Sequence, residues 1–334
     1  MCAHTNIQLN KNHSIFINSS TLTVAISIDI GGTTTKIGLV TPSGKIIAKN
    51  QFDTWKGNSK NAFFNNLFEA IGKLIIDIDF EDIKGIGIDA PSCVPQEGII
   101  KGASNLPLKG EVPIVDILAI KYKKEVYLCN DANAAALGEG KFGNAKGMSN
   151  FVVLTLGTGL GAGIIVNNEV LTGQSGLSGE MGHITAIRNG RQCGCGRKGC
   201  LETYTSATGI KRNFLAQLAE SNLPSSLENL PLASLTTKKI GKAAKEGDEN
   251  AKKAFEYGGK ILGEHLADFV HLFEPEAIVL AGGVAQVGEL LFTPTINALF
   301  DNLLPNYINN IQVLPSALGE NEAALLGAST LVFQ

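Results

Sequence analysis

One histidine and three cysteines, His183, Cys193, Cys195 and Cys200, fall within 18 positions, a donor set and count that suit tetrahedral zinc. Gly194, Gly196 and Gly199 lie among them and let the chain bend tightly enough for the thiolates to converge. Four protein ligands leave no open position on the metal, so such a zinc is structural. A redox or disulfide use of the same thiols is the alternative, and it lacks a Cys-x-x-Cys pair. Cys2, Cys93 and Cys129 stand apart from the cluster.

Other residues have the chemistry to handle phosphate. Asp29-Ile30-Gly31-Gly32-Thr33-Thr34-Thr35-Lys36 puts a carboxylate at the end of an apolar run, before a glycine turn whose N–H groups and hydroxyls can hold phosphate. Asp29 would there orient a hydrated Mg2+. A Gly-Gly hairpin with an acid of no special role is the alternative. The Gly-x-x-x-x-Gly-Lys-Ser/Thr loop is absent, as is Gly-x-Gly-x-x-Gly in a dinucleotide setting. Leu156-Gly157-Thr158-Gly159-Leu160-Gly161 supplies a further turn, and two such turns facing each other could grip one polyphosphate. Asn130-Asp131 separates a predicted strand from a predicted helix, where either side chain could cap the helix. The chemical alternative is that Asp131 takes the proton of an attacking hydroxyl in phosphoryl transfer. Asn105 and Glu202 read on their own as loop and cap residues. Gly282-Gly283 follows an apolar strand, a place where backbone can approach a nucleotide closely.

The elements that must position these residues alternate between strand and helix. Val24 to Ile30, Lys36 to Thr41 and Lys45 to Phe52 predict an antiparallel meander with a Pro42-Ser43-Gly44 turn. Asn61 to Ile78 has helical spacing, Ile83 to Ile88 is a strand, Val126 to Cys129 another, and Ala132 to Gly140 an alanine-rich helix. Phe151 to Leu156 opens a second strand, glycine turn and strand with the same plan as the first, which predicts an internal duplication. Helices over 248–273 and 321–331 flank the strand Ala277 to Leu280, so the fold class is α/β, and the last helix is expected to return to the first lobe. The 334 residues suit two lobes. At 44% hydrophobic, 18% charged and a net charge of −3, the chain offers no basic surface for nucleic acid. It shows neither a signal peptide nor a membrane span, and residues 1–23 read as a flexible leader. A reducing, cytoplasmic setting is expected.

Taken together, Asp29-Ile-Gly-Gly-Thr33, Asn130-Asp131, Gly157-Thr-Gly159, Glu180-x-Gly-His183, the Cys193/Cys195/Cys200 loop with Glu202, and Gly282-Gly283 resemble the ROK (repressor, open reading frame, kinase) family of sugar kinases over residues 24 to 332. That resemblance implies the actin-like ATPase fold: two ribonuclease-H-like lobes with a central cleft, residues 24–129 plus 319–334 forming the small one and 130–318 the large one with a zinc loop at 183–200. It implies a homodimer and ATP-dependent phosphorylation of a hexose 6-hydroxyl, glucose first, with an N-acetylhexosamine or fructose as alternatives. Asp131 then matches the catalytic base. Asn105, Asn130, Glu180, His183 and Glu202 match sugar contacts, His183 using its other ring nitrogen on zinc. Gly31 to Thr34, Lys36, Thr158 and Gly159 match the phosphate side, Gly282 and Gly283 the adenosine side and Asp29 the Mg2+ side. Ala90-Pro91-Ser92-Cys93 departs from the family, because many relatives have glycine after the proline. Some members join this body to a DNA-binding helix-turn-helix, and the roughly 23 residues before the first strand are too few for one. A sugar sensor without turnover is the third reading.

Overall fold

The computed structural model describes residues 22–102, 106–307, 310–319 and 322–334. Most of the expected leader and the expected sugar contact Asn105 lie outside the described residues. Strands β1 (Val24–Ile30), β2 (Thr34–Val40) and β3 (Ile46–Asp53) form the antiparallel meander. β1 is apolar at nearly every position because both its faces are covered. β3 alternates between covered and exposed residues, as an edge strand with one wet face must. Helix α1 (Lys60–Ile75), capped by Ser59 on the Ala62 N–H, buries Phe63, Phe64, Leu67 and Ile71. It leads into β4 (Ile83–Asp89), which pairs parallel with β1.

A small antiparallel sheet, β5 (Cys93–Val94), β6 (Ile99–Lys101) and β7 (Glu111–Val112), and helix α2 (Ile114–Tyr122) come before β8 (Val126–Cys129). None of these short strands beyond β8 has a periodic signature of its own, and the sequence pattern did not mark them. The five-stranded order is β3-β2-β1-β4-β8.

The chain then crosses through α3 (Asp131–Phe142) and repeats the plan. β9 (Phe151–Leu156), β10 (Leu160–Val166) and β11 (Glu169–Val170) form a second meander. Helices α4 (Glu202–Thr205), α5 (Ala207–Glu220), α6 (Thr237–Lys245) and α7 (Glu249–Phe273) follow. Next come β12 (Ala277–Ala281), α8 (Glu289–Asn302), β13 (Gln312–Pro315) and α9 (Ala323–Thr330). The second order, β11-β10-β9-β12-β13, matches the first strand for strand. In each sheet the central strand pairs antiparallel with the returning strand and parallel with the fourth. The duplication seen in the strand patterns is thus a duplication of topology.

Each sheet has its own apolar core, one around Ile26, Ile28, Phe63 and Leu118, the other around Leu154, Phe214, Phe255 and Leu280. α9 joins them. Ser27 Oγ donates to the carbonyl of Leu325, fastening α9 to β1. On its other side Gly327 lies so close to α3 that a Cβ would sit 1.9 Å from the Ala134 carbonyl, so only glycine fits that crossing. α3 and α9 therefore cross in contact at the junction of the two sheets. After Gly282-Gly283 a single 3-10 turn, Ala285–Val287, precedes α8.

Candidate active site and metal site

A cleft of ≈ 1640 Å³ runs between the two sheets, and both glycine turns open on it. Of the residues expected in the site, Gly32, Thr33, Asn130, Asp131, Thr158, Gly159, Glu180, His183, Glu202 and Gly282 line it. The first turn is braced from behind. Thr54 Oγ1 donates to the Gly31 carbonyl at 2.8 Å and Trp55 Nε1 to the Gly32 carbonyl at 2.8 Å. Both braces reach back from the end of β3, so no local pattern at residues 29–36 announces them. Gly31 N–H closes the turn on the Thr34 carbonyl at 3.2 Å, and β2 begins at Thr34, two residues earlier than the apolar pattern suggests. Lys36 Nζ lies 3.2 Å from Asp29 Oδ2, so these two form an ion pair beside the turn.

The second turn is held just as firmly. Leu160 N–H donates to Glu202 Oε2 at 3.1 Å, Ala207 N–H to the Gly157 carbonyl at 2.8 Å and Thr208 Oγ1 to the Thr158 carbonyl at 3.2 Å. Gly282 takes φ +87°, and a Cβ there would meet the Leu156 carbonyl at 2.7 Å. A side chain is therefore excluded on two counts, and Gly283 follows directly.

Asn130 and Asp131 both accept the Ala132 N–H, each at 2.9 Å. Asn130 is the N-cap of α3, its Oδ1 accepting the Ala132 N–H at 2.9 Å. Asp131, the first helical residue, faces the cleft. Its carboxyl pKa is raised, first by the desolvating walls around it and then by the carboxylates of Asp29 and Glu180, against a lowering hydrogen bond from Ala132 N–H. A carboxylate made more basic in this way is better suited to accept a proton near neutral pH.

Asp89 was not singled out by the sequence. Register pairs it with Asp29 on β1 and with Cys129 on β8, so Asp29, Asp89 and Asp131 gather at the carboxyl ends of three neighbouring strands. Asp89 is fully buried and neither oxygen accepts a hydrogen bond. Its pKa is raised well above the ordinary value by burial, then by the Asp29 and Asp131 carboxylates. Cys93 lines the same cleft, its thiol pushed up to about 12 by burial and then by Asp131. Cys93 and Cys129 are free, buried and outside the metal cluster.

The ligand atoms of His183, Cys193, Cys195 and Cys200 all lie within 4.8 Å of one another. Cys195 Sγ and Cys200 Sγ are 3.7 Å apart, and Cys193 Sγ is 3.8 Å from His183 Nδ1. A tetrahedron with Zn–S bonds of about 2.3 Å has edges of about 3.7 to 3.8 Å, so this donor set fits the ion. Burial pushes the Cys193 thiol up to about 12, while the Arg197 N–H lowers Cys195. Arg197 also ties the loop to its histidine, donating to the His183 carbonyl at 2.9 Å. With Nδ1 on the cluster, His183 turns Nε2 to the cleft side, 3.9 Å from Glu180 Oε2. Cys193 Sγ reaches Glu202 Oε1 at 3.4 Å, so one carboxylate touches both the cluster and the second glycine turn.

The ROK family model matches residues 25–334. The glucokinase of Thermotoga maritima is 36% identical over 312 residues, covering 92% of this chain and 96% of that one. The ROK family glucokinase of Streptomyces griseus, solved with glucose and AMPPNP, superposes with a TM-score of 0.78 at 31% identity, covering 92% and 98% of the two chains. The xylose repressor of Caldicellulosiruptor bescii is 30% identical over 313 residues, 92% of this chain and 77% of its own.

Proposed function

The chain belongs to the ROK family, and on that premise we propose that it is an ATP-dependent sugar kinase of the actin-like ATPase fold, acting on the 6-hydroxyl of glucose. The observation that carries the chemistry is Asp131, held by α3 on a cleft flanked by two braced glycine turns. In transfer, the sugar O6 gives its proton to the Asp131 carboxylate and attacks the γ-phosphorus. The bond from phosphorus to the bridging oxygen breaks, and ADP leaves with that electron pair. The amides and hydroxyls of Gly32, Thr33, Thr158 and Gly159 offset phosphate charge, and Gly282 with Gly283 leaves room for the nucleoside. When bound, Mg2+ neutralises phosphate charge. Asp29, with Lys36 beside it, would orient the ion's water shell.

We assign Asn130, Glu180, His183 and Glu202 to the sugar, and Asn105 with them by family resemblance. His183, Cys193, Cys195 and Cys200 would hold a structural zinc, which would fix the orientation of the His183 ring. The lobes are taken as 24–129 with 319–334, and 130–318. No helix among the described residues is long and apolar enough to cross a membrane. We read the protein as a cytoplasmic homodimer that does not bind nucleic acid.

The repressor among the relatives shares the body, so the decisive test is chemical. Asp131→Asn should cut turnover by roughly 10²–10⁴-fold while glucose still binds. Undiminished turnover would remove Asp131 from this role, and tight sequence-specific DNA binding in a gel-shift assay would favour the regulator.

A further inference from the structure

The cleft is acidic where it must accept a polyanion. Among its lining residues are the carboxylates of Glu97, Asp131, Glu180 and Glu202, set against two permanent cations, Lys101 and Arg212. Lys101 is engaged by Glu97 at 3.7 Å and Glu111 at 3.8 Å. Lys36, near the first turn, is engaged by Asp29 at 3.2 Å. The neighbouring arginines of the metal loop are also occupied. Arg191 packs on the Tyr204 ring and bonds the Thr203 carbonyl and Asn213, and Arg197 holds His183 and Thr185. Among the described residues Arg212 alone is a cleft-lining cation without an ion-pair partner. Its Nη1 donates to the Gln192 carbonyl at 3.0 Å.

Its position on α5 supplies the direction. Arg212 stands four residues after Thr208, so the two side chains share a face of the helix. Both line the cleft, and Thr208 is bonded to the Thr158 carbonyl of the second glycine turn. The bond to Gln192 fixes one corner of a planar guanidinium that carries five N–H groups, and the remaining donors form a fork suited to phosphate oxygens. Gln192 in turn donates to the carbonyls of Cys193 at 3.2 Å and Arg197 at 3.3 Å, so the arginine is steadied by the metal loop.

We propose that Arg212 binds the polyphosphate of the nucleotide donor, entering from α5 beside the second glycine turn as the cleft's uncommitted cation. This assignment rests on the kinase reading and adds a residue to it. Anchoring at Gln192 means that the side chain is partly ordered before the nucleotide arrives, which lessens the entropy lost on binding. A lysine at the same place could offer charge but neither the fork nor the fixed corner.

The test is the binding of ADP, adenosine and glucose to wild type, Arg212→Gln and Arg212→Lys by titration calorimetry, with the fluorescence of Trp55, the one tryptophan and a cleft residue, as a second readout. Arg212→Gln should raise the Kd for ADP roughly tenfold or more, leaving adenosine and glucose unchanged. Arg212→Lys should recover part of the ADP affinity. Unchanged ADP affinity would overturn the assignment. Equal loss of ADP and adenosine would overturn it in favour of a nucleoside contact, and loss of glucose affinity alongside would reduce Arg212 to a support of the metal loop. A wild type that binds neither ADP nor glucose would remove the kinase reading and this assignment together.

Discussion

Asp89→Asn tests the electrostatics of the strand ends. Asp89 is buried against Asp29 and Asp131 and accepts no hydrogen bond, so its ionised form is uncompensated and its protonated form is favoured in the fold. The sign follows from linkage. The folded-state pKa lies above the unfolded value of about 3.9, so the folded protein holds a proton that the unfolded chain releases. Stability is therefore full below about pH 4 and declines as pH rises toward the folded pKa. Asparagine keeps the shape but cannot ionise. The variant should match wild type near pH 4 and exceed it by about 1–3 kcal/mol at pH 8, the scale of one unsatisfied buried polar group. Thermal melts at several pH values would show this as a difference of roughly 2–6 °C that grows with pH. A variant less stable than wild type at every pH would mean that the Asp89 charge has a native partner, and a pH-independent difference would refute the linkage argument.

Three more outcomes are expected. The kcat/KM of wild type should fall as acid protonates Asp131, with the acid limb lying above the ordinary carboxylate range because its pKa is raised. A profile flat through that region would contradict a base at this position. Cys195→Ser, or chelation, should release about one equivalent of zinc by metal analysis and weaken glucose binding by roughly 10–100-fold through the loosened His183 ring. Unchanged glucose affinity in the metal-free protein would separate the cluster from the sugar pocket. Ser92 holds φ +53°, a conformation costly for a side chain, and its carbonyl accepts the Lys101 N–H at 2.9 Å. Ser92→Gly should raise stability by about 1 kcal/mol, the relief of strain less the entropy of glycine. A loss of stability would show that the serine side chain holds the turn.

The sequence disclosed what is written in local runs and missed what only register or packing assembles. Apolar strands followed by Gly-Thr turns were legible at 24–36 and 151–161 because each is a continuous pattern, and the two sheets repeat one strand order. The Cys/His cluster was legible because all its donors lie in one short loop. The glycine expected by the family after Pro91 had a structural reason, since Ser92 occupies the left-handed region there. Asp89 was invisible as one acid among many until parallel pairing set it against Asp29. Thr54 and Trp55 are ordinary residues at a strand end until they fold back on the carbonyls of Gly31 and Gly32. Arg212 likewise gains meaning from the ion pairs that its neighbours already have. Helix starts moved by one residue where a cap decides the boundary, as at Ser59 before α1 and Asp248 before α7.

The central claim is phosphoryl transfer to a hexose, and it is tested most directly by incubating the purified protein with Mg-ATP and a panel of glucose, mannose, fructose, N-acetylglucosamine and N-acetylmannosamine. ADP release and 31P NMR of the product are the readouts. Sugar-dependent ADP release with glucose preferred, and a phosphomonoester on its 6-oxygen, is the predicted result. No sugar-dependent release from folded, zinc-loaded protein that binds both ATP and glucose would contradict it and leave a sensor in its place.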